Sequence, residues 1–372
     1  MQFSEVIGQE SLKQQLIRDY HQNKISHAQL VVGNPGFGAL PLIWAYVQYL
    51  FCENKQENDS CGQCASCHKV AQLQHADLHF SFPTVQAVAK TSDELFAEWR
   101  DNLLKNPYFT LNQFTATYDD KGRVPIIGVE ESQGIIRKLN LKSFEGKYKV
   151  MIIWMAQAVN NQASNKLLKI IEEPPENTLF FLIADSADMI LPTIISRSRL
   201  VKVPRLNAGE IDFFLKNRYH LSDTNAASIT SQVDGDLILA EELAGNTEDR
   251  DFNREQFIQF MRVCYKKDVN DMLDWAQNMA TKGRQTQKQF LDYSLHLIRQ
   301  SLLKNYTSGE LTRVSEKEDE FLKKFAKFIT GNNIFDFLKQ FSDAYYYIDR
   351  NANAKILFTQ LTFDTMRYIH FA

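Results

Sequence analysis

The feature that most constrains the fold is a short apolar run, Ala28–Val32, which ends in a glycine-rich turn and leads into the apolar stretch Leu42–Leu50. A strand that turns directly into a helix is the building unit of parallel α/β sheets. Two further runs, Tyr148–Met155 and Thr178–Ala184, have the Val, Ile and Phe content of strands buried on both faces. A helical pattern over Ala163–Glu173 lies between them and ends at two prolines. The first half is therefore predicted to be an α/β domain.

The 372-residue length favours two or three domains. We predict an α/β domain over 1–205, built as a parallel sheet with helices on both faces. It contains a cysteine module at 52–67 and an aromatic- and proline-containing insertion at 78–124, to which the sequence assigns no role. Strand patterns are absent after this domain. A small helical domain is predicted over 206–248, and an all-helical domain over 249–372, where apolar residues recur at three-to-four spacing.

Composition excludes several classes of protein. The chain is 44% hydrophobic and 23% charged, which is too apolar for disorder, and its net charge of −3 excludes a globally basic nucleic-acid binder. Its longest apolar runs are far below the ~20 residues that a membrane span needs. The first residues lack the basic and apolar regions of a secretory signal. We therefore expect a cytoplasmic protein with no membrane contact.

Local charge is still informative. One basic cluster precedes the second apolar run, with only Glu145 opposing it: Arg137, Lys138, Lys142, Lys147 and Lys149. These side chains can face DNA phosphates, and a solvated loop face is an equal alternative.

Four of the five cysteines are clustered, and their two successive C-x2-C steps are typical of a metal site: Cys52, Cys61, Cys64 and Cys67. Four thiolates complete a tetrahedral zinc shell, and a closed shell leaves no position for water, so the zinc is predicted to be structural. His68 and His75 are nearby substitutes as ligands. Metal-free thiols and a redox C-x-x-C are the alternatives. Cys264 lies on an apolar helical stripe and is expected to pack in a core.

The turn after the first apolar run has the glycine spacing of a nucleotide-binding P-loop, G-x-x-x-x-G-K-[ST]. Gly33 and Gly38 frame it and Gly36 lies between them. Ala39 stands where a lysine should meet the phosphates, and Leu40 where a hydroxyl should hold Mg²⁺. The loop is therefore predicted to be a degenerate nucleotide site that is not functional.

The end of the second apolar run gives an independent test. An ATPase needs carboxylates there to hold Mg²⁺ and to polarise water. The sequence reads Trp154-Met155-Ala156-Gln157-Ala158 and contains no acid. We therefore expect no intrinsic enzyme activity and no ATP hydrolysis.

Together these segments resemble the δ′ subunits of the clamp loader of bacterial DNA polymerase III, a family of AAA+ fold. The similar segments are Phe3–Gln9, His27-Ala28, the cysteine module after the P-loop helix, His75–Leu78, Asn165–Pro175 and Leu191–Ser198. The resemblance covers most of residues 1–205. Over 206–372 only the helical layout agrees, as for a lid domain and an oligomerising collar.

The resemblance implies a non-catalytic stator that helps to load the sliding clamp on primed DNA. It implies γ/τ ATPase subunits and the δ subunit as partners, with the sliding clamp and primer-template DNA contacted through the assembled complex. The polymerase activity would belong to other chains. Arg197 matches the family's S-R-C segment, here Ser196-Arg197-Ser198, and would be an arginine finger in trans for a neighbouring ATPase.

Departures and alternatives remain. Ile238 stands where active relatives carry a sensor arginine, and Ala184-Asp185 stands where a polar sensor is expected. A surface arginine paired with a carboxylate is the alternative reading of Arg197, with Arg199 equally available as a finger. Two other functions compete with the stator: an active AAA+ ATPase subunit of a clamp loader, and a zinc-dependent nucleic-acid adaptor that uses residues 52–67.

Overall fold

The computed structural model describes residues 1–245, 247–307, 312, 314–350 and 352–370, without the side chains of 247–250 and 316. The chain forms two compact units. The first contains Met1–Arg218 and Val233–Glu241, and the second contains Tyr219–Gln232 and the chain from Glu242 onward. The segment 206–248 is thus divided between the two units, and its independence as a domain stays a prediction.

A five-stranded parallel sheet lies at the centre of the first unit, with the strand order β2-β3-β4-β1-β5. The strands are β1 (Ala28–Val32), β2 (Leu78–Ser81), β3 (Lys149–Trp154), β4 (Thr178–Ala184) and β5 (Arg199–Lys202). The three predicted apolar runs form the three central strands, and every residue of β3 and β4 is buried.

Helices cover both faces of this sheet. They are α1 (Glu10–His21), α2 (Ala39–Phe51), α3 (Ala65–Ala71), α4 (Phe96–Lys105), α5 (Leu111–Thr115), α6 (Val129–Asn140), α7 (Asn161–Glu172) and α8 (Pro192–Ile195). Alternate residues of β4 enter two separate apolar cores, Phe181 in one and Phe180 in the other. Two cores on opposite faces require helices on both sides, so the predicted α/β class is confirmed.

The predicted boundary of the insertion at 78–124 is wrong at its start, because Leu78–Ser81 is a strand of the sheet and pairs with β3. The run is short and includes the half-buried His79, as is usual for an edge strand, and so lacks a continuous apolar signal. The remainder of the insertion forms an aromatic cluster with Trp154, whose other members are Phe82, Trp99, Phe109 and Phe114.

The chain after the sheet is helical. Its helices are α9 (Ala208–Tyr219), α10 (Asp223–Val233), α11 (Leu237–Gly245), α12 (Thr247–Lys266), α13 (Val269–Ala280), α14 (Arg284–Tyr306), α15 (Glu316–Phe325), α16 (Ile334–Asp349) and α17 (Ala354–His370). Cys264 is fully buried in the core of the second unit, as predicted, and its thiol donates to the Thr362 carbonyl at 3.4 Å. Phe335, in contrast, is 77% exposed and does not join that core. No helix in the described parts of the chain has the length and apolarity to cross a membrane.

Candidate functional site

The glycine-rich turn after β1 has its amides engaged within the turn itself. The Asn34 side chain accepts from the Gly36 N–H at 2.9 Å, while the Asn34 carbonyl accepts from Phe37 N–H at 2.8 Å. The Gly38 N–H donates to the Pro35 carbonyl at 3.2 Å. A functional P-loop instead directs such amides at the phosphates. This turn is therefore a closed 3₁₀ turn and presents few donors to an anion.

A carboxylate lies against the same turn. A Cβ placed on Gly36 would be only 1.9 Å from Oδ1 of Asp236, so the glycine is required by this close approach. Asp236 precedes α11, and its Oδ1 also accepts from the Leu239 N–H at 3.1 Å. A second group, the ring of Tyr108, lies beside Gly38, and its hydroxyl accepts from the Ile7 N–H at 3.0 Å. The negative charge of Asp236 beside Gly36 repels a phosphate.

The two positions that lack P-loop chemistry are buried. Ala39 is 1% exposed and Leu40 is 5% exposed, and every other residue of α2 is buried as well. An apolar helix of this kind is a core element on all sides. The helix that follows the turn therefore contributes packing, with neither a cation nor a hydroxyl at its start.

The carboxyl end of β3 carries aromatic packing where an ATPase needs acids. Trp154 is 2% exposed, and its ring centroid lies 5.0 Å from those of Trp99 and Phe109. Met155, the next residue, has a left-handed backbone with φ of 55°. At the end of β4, burial raises the pKa of Asp185, an effect that a hydrogen bond from Gln157 partly offsets. Asp185 directly follows β4, and its carboxylate contacts the amide side chain of Gln157.

The four predicted metal ligands are brought together. Their sulfur atoms all lie within 4.8 Å of one another, and Cys61 Sγ is 3.9 Å from Cys67 Sγ. Four sulfurs held at a zinc distance of ~2.3 Å would be about 3.8 Å apart at the corners of a tetrahedron. The cluster therefore fits a zinc ion after only a small contraction. Neither His68 nor His75 belongs to it.

Backbone donors surround these sulfurs. The N–H of Cys61 donates to Cys52 Sγ at 3.2 Å, the N–H of Cys64 to Cys61 Sγ at 3.3 Å, and the N–H of Cys67 to Cys64 Sγ at 3.4 Å. The amides of Gln63 and Cys64 lower the pKa of the Cys61 thiol to about 6. Burial raises the pKa values of Cys52 and Cys67. Four thiolates in this place therefore need a cation to be ionised together.

The cysteine module is fastened to the rest of the first unit. The Asp59 carboxylate accepts from the N–H groups of Phe3 and Ser4 at 2.9 and 3.0 Å. The indole N–H of Trp44 on α2 donates at 3.0 Å to the carbonyl of Val70 in α3, the helix that begins within the module. These bonds join the module to the amino-terminal segment and to α2, as expected for a structural element.

Arg197 follows α8 and is 33% exposed. Its Nε lies 3.0 Å from Oε2 of Glu172 in an ion pair that is not aligned as a hydrogen bond, and its Nη1 donates to the Thr193 carbonyl at 3.0 Å. The other candidate, Arg199, lies 2.6 Å from Asp19. Both arginines thus have carboxylate partners within the chain.

The predicted basic cluster is only partly a surface. Lys149 is 4% exposed, and its Nζ donates to the Leu139 carbonyl at 3.1 Å, because β3 begins at this residue. Lys138 is paired with Asp93. Arg137, Lys142 and Lys147 are exposed.

Comparison with known proteins decides the family. A family model described as DNA polymerase III, delta subunit, matches residues 8–207. This chain belongs to that family. It is 29% identical over 187 residues to the DNA polymerase III subunit delta′ of Escherichia coli K12, which covers 50% of this chain and 45% of that protein. The resemblance to δ′ subunits is thereby confirmed.

Other members of the replication machinery are also similar. The chain is 25% identical over 209 residues to DNA polymerase III subunit tau of Bacillus subtilis 168, covering 56% of this chain and 30% of that protein. A solved structure of a DNA polymerase III gamma-subunit-related protein from Thermotoga maritima is similar with a TM-score of 0.40 and 16% identity, covering 96% of this chain and 99% of that one. The chain spans less than half the length of the Escherichia coli and Bacillus subtilis relatives.

The sequence did not indicate three side chains with important contacts: Tyr108 and Asp236 at the glycine turn, and Asp77 at the loop before β3. Tyr108 and Asp236 reach the glycine turn from about 70 and 200 residues away, so no local spacing could indicate them. Asp77 accepts three backbone N–H bonds, each 2.7 Å long, from residues 144–146. Asp77 lies in His75–Leu78, one of the segments similar to δ′ subunits, but that similarity assigns no role to its carboxylate.

Proposed function

We propose that this chain is a clamp-loader subunit of DNA polymerase III that does not hydrolyse nucleotide and that supports a neighbouring ATPase. In this proposal the first unit is a stator, and the helical second unit joins the chain to γ/τ and δ subunits. The assembly would load the sliding clamp on primer-template DNA. Membership in the δ-subunit family supports the setting of the proposal.

The observation that carries the non-catalytic part is the Asp236 carboxylate against Gly36. A nucleotide that entered this turn would meet an anion, and the amides of the turn already have internal acceptors. The absence of acids at the end of β3 supports the same conclusion independently, because Mg²⁺ and the attacking water would have no carboxylate to hold them there.

The proposal gives Arg197 the role of an arginine finger in trans. An ion pair of this exposure is worth up to ~1 kcal/mol, so a phosphate of a neighbouring subunit can replace Glu172 as its partner at small cost. The planar guanidinium is always charged and can stabilise the charge of a transferring phosphoryl group. Glu172 would then hold the side chain in place until assembly.

The four cysteines are proposed to hold one structural zinc ion. Zinc bound to Cys52, Cys61, Cys64 and Cys67 would stabilise the thiolates and fix the module against α2. A shell of four protein ligands leaves no open coordination position, which favours a structural role over a catalytic one.

Nucleotide binding by the full-length chain tests the first part. We expect no binding of ATP or a fluorescent ATP analogue at micromolar concentration, with Mg²⁺ present. Binding or hydrolysis by the purified chain alone would overturn the proposal and favour the active-ATPase alternative.

The finger is tested in the assembled loader. Arg197→Ala should lower the DNA-stimulated ATPase activity by the fraction that comes from the one ATP site next to Arg197. The matched variant Arg199→Ala should leave the activity unchanged. Zinc content and thermal unfolding of both variants serve as controls for folding. An unchanged ATPase activity of Arg197→Ala refutes the role of this residue.

A further inference from the structure

The loop between α6 and β3, residues 141–147, is held firmly to the first unit, and we call it the basic loop. The carboxylate of Asp77, which is 2% exposed, accepts from the backbone N–H groups of Phe144, Glu145 and Gly146 at 2.7 Å each. A Cβ on Gly146 would lie 2.7 Å from the Phe51 ring, so the loop backbone also packs closely on the core. Its backbone conformation is therefore fixed by three hydrogen bonds to a buried carboxylate and by close packing at Gly146.

This fixed backbone presents apolar side chains to solvent. Phe144 is 83% exposed and Leu141 is 69% exposed. The bonds to Asp77 engage the backbone only, so they leave the Phe144 ring outside. An exposed aromatic ring held in a fixed position can stack on the flat face of a nucleic-acid base.

The chain segment around Phe144 is positively charged, although the chain as a whole has a net charge of −3. The segment 137–149 contains five cationic side chains and one acid, Glu145, which is paired with Lys69. Of the cations, Arg137, Lys142 and Lys147 are exposed. Lys69, which lies outside this segment, therefore already neutralises the charge of Glu145.

We propose that the basic loop binds single-stranded DNA, with Phe144 stacking on an unpaired base and the exposed cations contacting the phosphates. Each nucleotide carries both a flat base and a phosphate, which match the ring and the charges together. An acidic protein surface would match the cations but would leave Phe144 in water unless it also had an apolar pocket. Duplex DNA would offer its phosphates without an accessible base face.

This inference goes beyond the proposed function, because it assigns a direct DNA contact to this chain and uses none of the nucleotide turn, Arg197 or the cysteines. It can be correct in a protein that is not a stator. It can also fail without affecting the stator proposal, since assembly and the finger involve other residues.

The stacking part is tested by fluorescence anisotropy of a labelled oligo(dT) with the full-length chain at low salt. Loss of one base stack should weaken binding of Phe144→Ala by about 5- to 150-fold. Phe213→Ala is the matched control, because Phe213 is 71% exposed on α9 and lies far from this loop in the sequence. Equal affinities of the wild type and Phe144→Ala, or no binding by the wild type, overturn the proposal.

The charged part is tested by the salt dependence of the same binding. The double variant Lys142→Ala/Lys147→Ala should reduce the slope of log K against log salt by about 1.4, since each phosphate contact on a single strand contributes about 0.7. Lys90→Ala/Lys105→Ala removes the same net charge from exposed lysines elsewhere and should leave the slope unchanged. Poly-glutamate binding that depends on Phe144, together with DNA binding that does not, would show an acidic protein as the partner and refute DNA.

Discussion

Replacement of Asp77 by Asn tests how the first unit holds the basic loop. In the wild type, Oδ1 accepts from Phe144 N–H and Oδ2 accepts from the N–H groups of Glu145 and Gly146. Asparagine has one carbonyl oxygen, which can keep the last two bonds. Its amide nitrogen must then face the Phe144 N–H, so that two donors meet at a partly buried position.

The magnitude follows from these bonds. One bond to a charged acceptor is lost at ~1.5–3 kcal/mol, and the partly buried Phe144 N–H is left facing a second donor. The two remaining bonds lose their charge assistance, which is about half of their strength. We expect Asp77→Asn to lower the free energy of unfolding by roughly 3–5 kcal/mol. Asp93→Asn is the control, because its carboxylate is 60% exposed and its ion pair with Lys138 is worth up to ~1 kcal/mol.

Hydrogen exchange of the amides of residues 144–146, read by mass spectrometry or NMR, measures the loss of these hydrogen bonds locally, and thermal unfolding measures the loss of stability globally.

Burial alone would raise the pKa of Asp77, but its three N–H donors outweigh burial and hold the pKa below its ordinary value. The stabilisation is thus complete above the ordinary carboxyl pKa of about 4 and disappears as the pH falls through the lower pKa of the folded state. Unchanged exchange of these amides in Asp77→Asn at neutral pH would show that they do not depend on the carboxylate.

Two other predictions concern the metal and a histidine. Protein prepared without chelator should contain about one zinc per chain, and Cys61→Ser should lose it and unfold at a lower temperature, whereas Cys264→Ser should retain the metal; equal zinc in both variants contradicts the site. Burial, with the charges of Lys138 and Lys149, lowers the pKa of His79 to about 4. The NMR signals of His79 should therefore not shift between pH 7.5 and 5.5, and the stability that the neutral ring contributes should be lost as the pH falls from ~6.5 to about 4. A titration midpoint near 6.5 would contradict this prediction.

The sequence predicted the centre of the sheet better than its edges. Strands β3 and β4 are covered on both faces, so burial selects apolar side chains at every position and the runs are continuous. The edge strands β2 and β5, LHFS and RLVK, have only four residues each, and two of the four side chains in each are polar. Such short runs cannot be distinguished from loops by periodicity.

The metal ligands were predictable because their spacing is local, and the structure brings all four together. The contacts of Arg197 and Lys149 were not predictable, since each depends on a partner that the fold supplies. Arg197 meets Glu172 because α7 ends near α8, and Lys149 reaches the Leu139 carbonyl because α6 ends near the start of β3. Pairing of this kind is a property of the tertiary structure, and residue type alone does not reveal it.

The glycine turn and the aromatic end of β3 are parts of one packing arrangement, so we expect that Ala39→Lys alone does not create nucleotide hydrolysis. Tyr108 lies against Gly38, and its neighbour Phe109 packs on Trp154, so the insertion contacts both places at once. A lysine at position 39 would have to ionise where Ala39 is 1% exposed, at a desolvation cost that lowers its pKa. It would attract the Asp236 carboxylate, which is already at the turn, before it met a phosphate. The end of β3 would still lack an acid for Mg²⁺, and an acid in place of Trp154 would remove its ring from contact with Trp99 and Phe109.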